Sequence, residues 1–118
     1  MKVIIAGSRG FSDFQRMFTE CENILSEYSD VEIVSGTAKG ADKMGEHYGK
    51  LKGFSIKQFP ANWNLYGASA GYLRNKEMAN YADMAIIFWD GTSRGSKHMI
   101  DLAEEKNLIV HIVEYLLH

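Results

Sequence analysis

With 118 residues, 46% of them hydrophobic and 24% charged, the chain has the make-up of one domain around one core. A formal charge of -2 gives no basic face for nonspecific DNA or RNA binding, so nucleic acid is not expected as a partner. Cys21 is the only cysteine, which excludes a disulfide framework, and His47, His98, His111 and His118 lack close ligand spacings, so no metal is expected.

The opening apolar run, KVIIA (2 to 6), is too short for a secretory signal or a membrane span and reads as a first strand in a cytoplasmic protein with no membrane partner. A helix is predicted over 13 to 28, where Met17, Phe18, Cys21, Ile24, Leu25 and Tyr28 recur at helical spacing, with Asp13 as its cap. VEIVS (31 to 35) is the second strand, followed by a helix over 41 to 52. FSIKQF (54 to 59) is the third strand, and a helix over 69 to 81 follows the long segment that holds the only proline. MAIIFW (84 to 89), a helix over 95 to 106, and LIVHIV (108 to 113) complete the series.

Strict alternation with short links predicts an α/β fold: a small Rossmann-like three-layer sandwich with a five-stranded parallel sheet in the order 3-2-1-4-5. Gly7, Gly10, Gly36, Gly40, Gly67, Gly71, Gly91 and Gly95 all fall after the first four strands, on the carboxyl edge of such a sheet. Open α/β sheets bind ligands at that edge where the strand order reverses, here between strands 1 and 4. The flanking loops are GSRGFSD and WDGTSRGS.

Glycines let a backbone present N–H groups to an anion, and a helix that starts directly afterwards adds more of them. Gly7, Ser8, Arg9, Gly91, Thr92, Ser93, Gly95 and Ser96 are therefore expected to hold a phosphate, with Arg94 a weaker contributor. The plain alternative is that Ser93 or Ser96 caps the last helix and Arg94 sits in solvent. In SGTAKGAD, Gly36, Thr37 and Asp42 face the same edge. Asp42 reads either as a first-turn acid that favours the helix dipole or as a group for a ribose hydroxyl or proton transfer. Asn62, Trp63, Arg74 and Asn75 are placed to close the pocket, while Trp63, Tyr66 and Tyr72 fit equally well against a second copy of the chain, so a homo-oligomer is expected. His98 reads as a partly buried or solvent-facing residue, not a catalytic one.

GSRGFSD, SGTAKGAD, PANWNLYGASAGYLRNKEMANYAD and WDGTSRGS, in that order, resemble the YspA-type branch of the SLOG superfamily over nearly the whole chain. That superfamily is Rossmann-like and includes LOG phosphoribohydrolases, the DNA-processing protein DprA, and sensors of nucleotide-derived signals in bacterial and phage conflict systems. The resemblance implies a nucleotide-type ligand with no further cofactor. It also puts Arg74 on the LOG signature arginine, and aligns Gly95 and Ser96 with the Gly-Thr step of that signature. Met99 then stands where those enzymes carry glutamate. A methionine cannot assist N-glycosidic cleavage. The leading expectation is thus a protein that senses, sequesters or presents a nucleotide derivative. The alternative is a phosphoribohydrolase-like enzyme with a displaced carboxylate, for which Asp42, Glu46, Asp90 and Arg74 are the catalytic candidates; a DprA-like single-stranded DNA module is a third reading, and it fits the charge poorly.

Overall fold

A computed structural model describes residues 1–115. His118 lies outside the described residues. Five strands form one all-parallel sheet: β1 (Lys2–Gly7), β2 (Glu32–Ser35), β3 (Ser55–Gln58), β4 (Met84–Trp89) and β5 (Ile109–Glu114), in the order β3-β2-β1-β4-β5. Between them lie α1 (Phe14–Leu25), α2 (Ala41–Lys52), α3 (Trp63–Tyr66), α4 (Ala70–Tyr81) and α5 (Arg94–Glu105), with a 3-10 turn at Gly67–Ser69. The expected fold class and strand order are those of the protein.

Strand alternation divides the core in two. Val3 and Ile5 of β1 join Met84, Ile86 and Phe88 of β4 on one face, packed with Met17 and Cys21 of α1 and Tyr48 of α2. Ile4, Ala6, Ala85 and Ile87 point to the other face, against Met78 of α4 and Met99, Ile100 and Ala103 of α5. Cys21 is fully buried, which agrees with its place on an apolar helical stripe, and burial pushes its thiol up to about 12. Edge strands behave differently: β3 is mostly exposed, and Ile109 and Ile112 of β5 are 43% and 44% exposed. Richness in branched residues does not imply burial there, because an edge strand has a neighbour on one side only.

The helices begin and end where their local chemistry dictates. Asp13 caps α1 by accepting from the Arg16 amide at 3.0 Å. α1 stops at Leu25, three residues short of the expected end, although Tyr28 still packs on the core. α3 is an element that the sequence pattern does not predict; it is a single turn, capped by Asn62, whose side chain accepts from the Leu65 amide at 3.1 Å. At the other end of β1, Gly7 passes so near β4 that a Cβ there would lie 2.1 Å from the Phe88 carbonyl oxygen. Only glycine lets the two central strands stay paired up to the switch point.

Candidate functional site

At the switch point the chain leaves β1 and β4 in opposite directions, and a cleft of about 530 Å³ opens at the carboxyl edge. Ser8, buried at its base, ties the two loops together. Its amide donates to Phe88 O at 3.0 Å, and its hydroxyl accepts from the Asp90 amide at 3.2 Å. Its carbonyl accepts from Phe11 N and, at 3.4 Å, from Ala41 N at the start of α2.

α2 brings Asp42, only 5% exposed, to one wall. Its Oδ2 accepts from the Ala38 amide at 3.2 Å. Burial raises this carboxyl to about 6; the Ala38 hydrogen bond and the charges of Arg74 and Arg9 pull it down, while Glu46 pushes it up. Glu46 itself is not among the lining residues. It accepts from Ser35 Oγ at 2.6 Å and from Gln58 Nε2 at 3.1 Å, and Ser35 Oγ in turn accepts from the Thr37 amide. Through these bonds Glu46 helps to hold the start of the loop after β2.

α4 supplies the opposite wall. Gly71, Arg74, Asn75 and Met78 recur at i, i+3, i+4 and i+7, which puts all four on the helix face that lines the cleft. Arg74 donates from Nη1 to the Gly36 carbonyl and from Nε to Asn75 Oδ1 at 3.0 Å. Burial lowers the pKa of its guanidinium and so does Arg9, while Asp42 raises it.

The loop after β4 closes the site. Asp90 Oδ1 accepts from the amides of Thr92 and Ser93 at 2.9 and 2.8 Å and from Thr92 Oγ1 at 3.2 Å. These bonds, the Thr92 amide first, hold the Asp90 carboxyl below its usual range. Two amides expected to cradle a phosphate thus already serve an anion of the chain itself. Ser93 caps α5, accepting from the Ser96 amide and hydroxyl, which is the plain reading of that serine. Arg94, the first residue of α5, is exposed and lies outside the lining.

Of the residues singled out from sequence, Gly7, Ser8, Arg9, Asp42, Trp63, Arg74, Asn75, Asp90, Ser93, Gly95 and Ser96 line one cleft. Gly36 is not on the lining, but its carbonyl accepts from Arg74 Nη1. Thr37, Asn62, Gly91 and Thr92 do not line the cleft: Thr37 sits at φ +66° with its amide on Ser35, and Asn62 caps α3. Sequence reading misses Ala6, Gly10, Ala38, Ala68, Gly71, Tyr72, Met78 and Met99 as lining residues. The i, i+3, i+4, i+7 spacing on α4 is the available signal for two of them. Met99, only 1% exposed, forms part of the wall where the LOG-type signature has glutamate. Trp63 and Tyr72 are half exposed on the rim. Among the described residues, no group of three His, Cys, Asp or Glu side chains is arranged to hold a metal, and no helix is long and apolar enough to cross a membrane.

A parallel α/β domain with a polar cleft at the reversal of strand order is a Rossmann-like architecture. The model of the YspA, cpYpsA-related SLOG family matches residues 1–66, from β1 through α3, and the chain belongs to that family. Arg74, Asn75 and the loop at 90 to 96 lie beyond the matched segment. The Gene 61 protein of Mycobacterium phage D29 is 32% identical over 117 positions, which cover 92% of this chain and 93% of that one. Among solved structures, DNA processing protein A (DprA) of Streptococcus pneumoniae superposes with a TM-score of 0.71 at 19% identity. The alignment takes in 94% of this chain and 49% of DprA, so the chain spans about half of that protein and shares its fold.

Proposed function

We propose that this protein binds a nucleotide or nucleotide-derived ligand in the cleft, as a sensor, a sequestering protein or a carrier that presents it. The observation that carries the reading is the convergence of Arg9, Arg74 and the first turn of α5 on a cleft whose rim holds Trp63 and Tyr72. Guanidinium groups and helix N–H groups suit a phosphate, and aromatic rims suit a base. Family membership supports it, because the chemistry implied by the resemblance has a physical counterpart in these side chains.

The test is to titrate the protein with a panel of nucleoside 5′-monophosphates and cyclic dinucleotides by calorimetry and ligand-observed NMR. Binding by at least one of them, lost in Arg74→Ala, is expected. Binding confined to single-stranded DNA, falling steeply with salt, would replace this reading with a DprA-like one.

A second reading is favoured by one observation: Asp42 combines burial, a carboxyl raised to about 6 and a place in the cleft near Arg74. A carboxyl with a pKa near neutrality exchanges protons readily, as cleavage of an N-glycosidic bond would require. In that case free base and sugar phosphate accumulate during the NMR experiment, and Asp42→Asn stops the release without abolishing binding.

A further inference from the structure

His98 lies one turn into α5, beside the cleft but not on its lining, and it closes a chain of hydrogen bonds that ends on Arg74. Arg74 Nε can only donate, so the atom of Asn75 that faces it at 3.0 Å must be the side-chain oxygen. Asn75 Nδ2 then points the other way, to the Gly95 carbonyl at 3.4 Å and to His98 Nδ1 at 3.2 Å. A carbonyl only accepts, so Gly95 requires the same orientation of the amide. With Nδ2 as the donor, His98 Nδ1 has to accept. The imidazole is therefore neutral, with its proton on Nε2.

We propose that His98 is a positioning residue for Arg74: its neutral ring holds the Asn75 amide, and that amide holds the guanidinium against the cleft. Protonation turns Nδ1 into a donor facing another donor, so Asn75 lets go and Arg74 loses the bond to Nε. Burial of the ring favours its neutral form; Asp101, one turn on and paired with Lys97, favours the charged form, and Lys76 of α4 opposes it. Tyr72 packs against the ring edge-on at 4.7 Å between centroids, so it shields the ring without supplying a charge. The consequence for ligand affinity rests on the proposed role of Arg74 in the cleft; the hydrogen-bond relay itself does not.

The test uses the ¹⁵N-labelled full chain. Long-range ¹H–¹⁵N correlation spectra report the His98 tautomer, and solvent exchange of the Arg74 Nε–H reports its bond to Asn75, both followed from about pH 8 to about pH 5. The Nε2–H tautomer is expected at the upper end, and protection of the Arg74 Nε–H, its exchange rate relative to that of free arginine at the same pH, is expected to fall about tenfold as the ring protonates. His98→Asn places an oxygen where Nδ1 stood and does not titrate, so the protection should persist throughout; in His98→Leu it should be lost throughout. An Nδ1–H tautomer at about pH 8, or Arg74 protection indifferent to both pH and His98→Leu, would overturn the proposal. Titration with AMP in parallel separates the two ideas. An affinity lost with the same pH profile, and less so in His98→Asn, ties the relay to binding, whereas no AMP binding at any pH beside an intact Arg74 profile removes AMP from the cleft and leaves the relay standing.

Discussion

Asp42 Oδ2 and Arg74 Nη1 approach the same point on Gly36 from two different helices: a Cβ on that glycine would lie 2.7 Å from the carboxylate and 2.8 Å from the guanidinium. Gly36 is not among the residues at positive φ, so alanine fits its backbone and only the side chains obstruct it. Gly36→Ala should push Asp42 and Arg74 apart at a cost of about 1 to 3 kcal/mol in stability. The chain should stay folded while nucleotide affinity falls about tenfold or more. Urea melts and calorimetric titration check both halves. Undiminished binding would mean that neither side chain touches the ligand.

Asp42 costs the fold stability at neutral pH. Its folded pKa, about 6, lies above the ordinary value of 3.8, so the folded chain binds the proton more tightly than the unfolded one. The carboxyl is then least costly below its unfolded pKa, and its penalty grows as pH rises through about 6. An asparagine side chain in its place would keep an oxygen for the Ala38 amide without the charge. Asp42→Asn should therefore be more stable at about pH 7.5 by roughly 1 to 3 kcal/mol, a gain that shrinks toward pH 4, while it weakens whatever the cleft does. Denaturant melts at both pH values decide this.

Much of this arrangement is legible in the sequence, for identifiable reasons. β1 and β4 are apolar on both faces and end in glycine-bearing loops, which fixes them as central strands and locates the switch point between them. α3 is illegible because one turn carries no periodicity; Asn62 consequently looks like a ligand contact when its oxygen is bound to the Leu65 amide. Thr37 looks available because its sequence neighbours include glycines and a lysine, but its amide belongs to Ser35. The apolar and small lining residues, Ala38, Ala68 and Met78 among them, have no chemical signature of their own. The contact between Asn75 and His98 spans 23 positions and depends on how α4 lies against α5, which no local pattern encodes.

Met99 tests what the loss of the signature glutamate means physically. It is 1% exposed and packs with Met78, Ile100 and Ala103. A carboxylate there would be desolvated, so its pKa would rise and its charged form would oppose folding. Met99→Glu should lose about 2 to 4 kcal/mol at about pH 7.5 and recover part of it near pH 5, where the side chain takes up a proton. Thermal melts at the two pH values provide the check. Unchanged stability would show that the site is wet enough to keep a glutamate ionised, and would strengthen the hydrolase reading.

Asp90 separates two roles that a carboxylate at this edge can have. Its Oδ1 binds the Thr92 and Ser93 amides, so it shapes the loop, and its charge opposes any phosphate placed at the start of α5. Asp90→Asn retains an acceptor for both amides but removes the charge; Asp90→Ala removes both and frees the amides. If phosphate sits there, Asp90→Asn should bind AMP more tightly than the wild type with little change in stability. Asp90→Ala should lose about 1 to 2 kcal/mol of stability through the broken loop bonds. Because its folded pKa is depressed, the loop's stabilising contribution is present above the ordinary carboxylate range and lost as pH falls through the folded value. Weaker binding in Asp90→Asn would instead mean that Asp90 accepts a hydrogen bond from the ligand, most simply from a sugar hydroxyl, and that the phosphate lies on the side of Arg9 and Arg74.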